Sequence, residues 1–163
     1  MASTIHVAGP AIIKIASANL ALTELGYTIN GAEIREEIFM ENVPGDESGG
    51  DAGPPIDVQY FGEIHHVRIE MSKWTTATLA SLLAKMDSGT AGVVNTVGTL
   101  MGQGTKSFRL LIHSTSEPRN YLIAFLRGQV ETNKGTKFSR MVLDFECHAN
   151  ATSGGTIYNT TTT

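Results

Sequence analysis

Few residues of this 163-residue chain have the types and spacing to do chemistry. Glu63, His65 and His66 are clustered, and neutral imidazole beside carboxylate is a common metal-ligand pair. On a strand, Glu63 and His65 share one face and His66 takes the other, and two ligands do not close a tetrahedral zinc site. Cys147 and His148 would likewise diverge, which argues against a thiolate activated by a neighbouring imidazole. Cys147 reads as a small buried apolar residue. The segment Gly98 to Ser107, GTLMGQGTKS, has the glycines and the Lys-Ser of a phosphate-binding loop. Thr105 separates Gly104 from Lys106, however, and a strand-like FRLLIH follows where that loop requires a helix. Asp46, Glu47 and Asp51 lack the alternating oxygen pattern and terminal Glu of a calcium loop. Trp74 reads as a residue closing the edge of a core. Neither catalysis, a metal nor a cofactor is expected.

The elements that would have to position these residues are mostly strands. Three apolar-alternating runs, Lys106 to Ser114, Asn120 to Gln129 and Lys137 to His148, follow one another across short turns, as in an antiparallel sheet. In the last, Met141, Leu143 and Phe145 fall on one face, with Arg140, Asp144 and Glu146 on the other. Ile12 to Leu25 reads as a strand, and Tyr27 to Phe39 as a second that bends at Asn30-Gly31. Ile56 to Tyr60 and Ile64 to Met71 are two more, the latter turning Val67, Ile69 and Met71 away from His66, Arg68 and Glu70. One helix is expected over Thr75 to Met86, with Leu79, Leu82, Leu83 and Met86 in a stripe, Thr75 as N-cap and Gly89 beyond its end. Gly89 to Gly104 reads as an extended entry to the final sheet. The expected core includes Val67, Ile69, Leu79, Leu82, Leu83, Leu143 and Phe145.

Between these elements the composition changes. Residues 41–55 mix Pro44, Pro54, Pro55 and four glycines with Asp46, Glu47 and Asp51, which reads as a long acidic loop without core residues. Residues 149–163 read as an extended, poorly anchored C-terminal arm. The whole chain, 1–163, is expected to be one domain, long enough to bury roughly 70% of its unfolded surface. A single Cys excludes an internal disulfide and points to a reducing cytoplasm. No signal peptide or membrane span is read at Met1 to Leu22. A net charge of -4 argues against a protein that grips nucleic acid by its phosphates, without excluding one past which nucleic acid slides.

The order of pieces, a Gly-rich acidic loop, PIDVQYFGEIHHVRIEM, TTATLASLLAKM, VGTLMGQGTKSFRLLIHS, RNYLIAFLRGQVE and GTKFSRMVLDFECHA, resembles the tail tube (major tail) proteins of bacteriophages and the related tube proteins of contractile-injection and type VI secretion systems. The resemblance spans about Gly26 to Tyr158. It implies a mainly β fold of two packed antiparallel sheets, a sandwich or barrel, with one flanking helix, a long loop and extended terminal arms. It also implies a virion structural protein rather than an enzyme: hexameric rings stacked into a tail tube assembled in the host cytoplasm, with self and other tail proteins as partners and double-stranded DNA passing through without tight binding. Phe39, Met40, Asp46, Glu47, Asp51, Pro54 and Pro55 are the expected inter-ring or inter-subunit contacts. Alternatives are a single-ring protein at a tail end, a capsid decoration or binding module and, further away, a metal enzyme built on His65.

Overall fold

The structure, a computed structural model, describes residues 10–17, 21–45, 53–86, 100, 106–114, 117–127, 131–133, 140–150 and 154–161. The chain is mainly β. Its strands are β1 (Ile12–Ser17), β2 (Thr23–Val43), β3 (Asp57–Trp74), β4 (Phe108–His113), β5 (Arg119–Leu126), β6 (Glu131–Asn133), β7 (Arg140–His148) and β8 (Tyr158–Asn159), with one helix, α1 (Thr76–Met86), after β3. All pairings are antiparallel in the order β6-β7-β3-β2-β1-β4-β5-β8. A further pairing of β5 with β7 closes six of the strands into a barrel whose opposite walls are packed antiparallel layers. Closure removes the edges that an open sheet would expose.

The alternating pattern is what fills this barrel. Val67, Ile69 and Met71 stand opposite Phe145, Leu143 and Met141, and all six are buried, because residues paired across two strands share a face. Ile13 and Ile15, Phe108, Leu110 and Ile112, and Tyr121, Ala124 and Leu126 complete the interior from β1, β4 and β5. Helix α1 begins where the Thr75 amide donates to the Leu25 carbonyl and the Leu79 amide to the Thr75 carbonyl. It buries Leu82 fully, with Leu79 and Trp74 partly buried against the same core. The Leu83 and Met86 side chains lie outside the description, as does the extended entry read at Gly89 to Gly104, apart from Leu100.

Several boundaries differ from expectation. Asn30-Gly31 does not end a strand. β2 continues past it, with Ile29 to Gly31 opposed only by Glu70, Gly31 at φ +90°, and Thr28 Oγ1 accepting from the Gly31 and Ala11 amides. A residue that tolerates positive φ lets the chain bulge without losing its register beyond. Ile56 to Tyr60 and Ile64 to Met71 are one strand, the break at Gly62 (φ +141°) being a second bulge. Ile12 to Leu25 is two strands rather than one. The loop expected at 41–55 starts later, since Glu41 to Val43 pair with Asp57 to Gln59. The C-terminal arm is anchored: Asn150 bridges Thr156, Ile157 is buried, and β8 pairs with Asn120 and Tyr121.

Candidate assembly surface

Beyond the barrel, β2 and β3 continue as a two-stranded ribbon from Glu33–Arg68 to Val43–Asp57. Among the described residues, neither Glu33–Val43 of β2 nor Asp57–Ile64 of β3 pairs with any strand other than its ribbon partner. Register makes the ribbon two-sided. The face continuous with the barrel interior carries Ile34, Glu36, Ile38 and Met40 against Val67, His65, Glu63, Tyr60 and Val58. The opposite face carries Glu33, Arg35, Glu37 and Glu41 with Arg68, His66, Gln59 and Asp57, and three apolar residues, Phe39, Val43 and Ile64. Ile38, Met40, Val58 and Tyr60 are 50, 58, 49 and 57% exposed. Large apolar side chains gathered on an unpaired ribbon are the pattern of a candidate interaction surface rather than of a scattered surface average.

Of the expected contact residues, Phe39 and Met40 lie on this ribbon, on opposite faces, and Pro54 and Pro55 are exposed beside its far end. Asp46, Glu47 and Asp51 lie outside the described residues. Ile38, Val58, Tyr60 and Phe61 are exposed there too and were not anticipated. The alternation of Ile34, Ile38 and Met40 with Glu33, Arg35, Glu37 and Glu41 is the signal that carries the ribbon in the sequence.

Two polar clusters flank the ribbon. At its root His65 is buried, with Nδ1 3.3 Å from the Tyr121 hydroxyl and Nε2 3.6 Å from Glu63, and Tyr121 and Tyr158 pack edge-on or tilted against its ring. Burial raises the Tyr121 phenol, against the opposing pull of Arg119, to about 12. Burial would lower Arg119, but its bonds to Tyr121 and Glu36 prevail and hold it above its ordinary value. His66 faces the other way and meets Glu37 at 3.1 Å. The second cluster seals the β5–β7 seam. Buried Glu146 accepts from Arg127 and lies 2.6 Å from His148 Nε2. Burial raises its carboxyl, and its hydrogen bonds with Arg127 and His148 outweigh burial to leave it lowered. A charged groove of about 400 Å³ lies nearby, lined by Glu33, Arg35, His66, Arg68, Arg127 and Asp144. Glu33, Arg68 and Asp144 are successive cross-strand neighbours in it, so acidic and basic groups alternate across the strands.

Cys147 is buried, and burial pushes its thiol well above the ordinary range, which disfavours the thiolate a nucleophile needs. Among the described residues no three His, Cys, Asp or Glu side chains are placed to hold a metal ion, and no helix is long and apolar enough to cross a membrane. Neither the protein-family models nor the curated proteins searched match the chain.

Proposed function

We propose that the chain is a structural subunit that assembles with copies of itself into the stacked rings of a phage-type tail tube, a conduit for double-stranded DNA without catalytic turnover. The observation that carries this reading is the ribbon: two unpaired edges and an apolar face, Ile38, Met40, Val58 and Tyr60, that a single copy leaves in water. Edge-to-edge pairing with a second copy satisfies the backbone groups, and a closed ring of such pairings leaves no edge to propagate further sideways. The layer β6-β7-β3-β2 suits this, since β6 and the ribbon part of β2 form its two outer edges. The charges also fit a conduit. Arg68 and Arg127 share their face with Glu33, Asp144 and Glu146, while Lys73 lies over the Tyr27 ring, near the start of β2. Phosphates passing such a face meet carboxylates among the guanidinium groups, and no continuous basic stripe.

Electron microscopy of the purified chain tests the proposal. Long tubes are the expected result. Single rings would move the chain to a tail end, and small monodisperse particles at high concentration would replace the tube with a decoration or binding module.

A further inference from the structure

The C-terminal strand meets the root of the ribbon through Tyr158, which packs on both Arg119 of β5 and His65 of β3. Arg119 Nη1 donates to Glu36 Oε1 of β2 (3.1 Å), Nη2 lies 3.6 Å from Glu117, and the guanidinium carbon sits 4.8 Å over the Tyr158 ring of β8. Glu36 is the cross-strand partner of His65, and Tyr158 also packs against His65. Residues from β2, β3, β5 and β8 thus meet where the ribbon leaves the barrel. We propose that Arg119 is a latch, through which docking of the C-terminal strand holds the ribbon root in place and displacement of that strand releases it.

The planar guanidinium makes this a geometric constraint as well as a charge contact. It can stack on Tyr158 and keep its fork toward Glu36 in one orientation; Arg119 is 19% and Glu36 49% exposed, so the stack on the ring, more than the half-exposed charge pair, fixes that orientation. β8 is short: two paired residues, the Leu122 amide on the Ile157 carbonyl at 3.4 Å, the Asn120 side chain on the Thr161 carbonyl at 3.3 Å, the buried Ile157 and the Asn150–Thr156 bridge hold it. Such elements open locally at a small fraction of the global stability. When β8 lifts, Tyr158 leaves both Arg119 and His65, the guanidinium loses the ring that orients it, and Glu36 loses its fixed partner. The coupling is reciprocal, so movement of the ribbon root loosens β8 by the same factor.

The inference concerns the isolated chain and stands whether or not tubes form. Amide hydrogen exchange on the full chain tests it. Tyr158→Ala is expected to speed exchange at Glu33–Ile38 and Glu63–Val67 about fivefold, the low end of common coupling strengths, with β1 and β4 unchanged. Arg119→Lys, which keeps the charge and loses the planar stack, should match it, and Tyr158→Phe should restore the wild-type rate. Glu36→Gln, at a half-exposed position that leaves the core intact, should speed exchange at Tyr158–Asn159 by a similar factor. The double variant should be no faster than either single one. Unchanged ribbon exchange in Tyr158→Ala, additive effects in the double variant, or equal acceleration in β1 and β4 would overturn the latch.

Discussion

Phe145→Ala is the sharpest test of the register that builds the barrel. Phe145 is 1% exposed, stands opposite Val67 and Leu126 on its two sides, and meets Phe108 edge-on with ring centroids 5.7 Å apart. Truncation removes the ring from β7, the strand that closes the barrel against both β3 and β5, so neighbouring backbones cannot collapse into the space without breaking pairing. A buried Phe→Ala change costs about 3–5 kcal/mol, and the lost edge-to-face contact places this site toward the upper part of that range. Against a total stability of roughly 5–15 kcal/mol this is a large share. With a urea slope of about 2 kcal/mol/M the midpoint should fall by about 2 M. Asp144→Ala is the control: its side chain lies on the charged face, and the bond its carbonyl accepts from the Arg127 amide survives the change. Its cost should stay within about 0.5 kcal/mol. Urea titration followed by circular dichroism reads both. Equal small losses, or a larger loss at Asp144, would refute the register and the barrel closure built on it.

Three further outcomes follow from the site. Met40→Asp combined with Tyr60→Asp should leave monomer stability within about 1 kcal/mol of wild type, since both positions are exposed, and abolish self-association in sedimentation velocity. Glu146 is lowered from its ordinary 4.5, so the stability it adds is present above that pH and is lost as pH falls through its folded value. Thermal melts of wild type and Glu146→Gln should therefore differ near pH 7, begin to converge below about pH 4.5 and merge only below the folded value, whereas a gap constant with pH would remove Glu146 from the acid limb. Assembled wild-type protein should retain double-stranded DNA weakly at physiological salt, and tight, salt-sensitive retention across a salt series would turn the conduit into a nucleic-acid binder.

What the sequence disclosed depended on how many neighbours each strand has. β4, β5 and β7 are flanked by strands on both edges and turn one face inward, so their alternation is strong and their positions were legible. The continuity of β2 and β3 was not, because Asn30-Gly31 and Gly62 carry turn chemistry that the fold uses for bulges inside long strands. β6 and β8, with three and two residues, are too short to show a period. The facing of His65 against His66 followed from strand parity alone. The link from Arg119 to Glu36 joins residues 83 apart, and only barrel closure brings them together.

The apolar lining of the barrel does not stop at the barrel wall. On the same face, past Glu36, His65 and Glu63, Ile34 and Val67 are followed by Ile38, Met40, Tyr60 and Val58, so the folded chain carries apolar residues in register with its interior on the outside. Whatever covers that strip binds the native chain and has no equivalent site on the unfolded one. If copies of the chain cover it, as proposed, stability obeys mass action: the melting temperature is expected to climb with protein concentration, and dilution alone to weaken the fold.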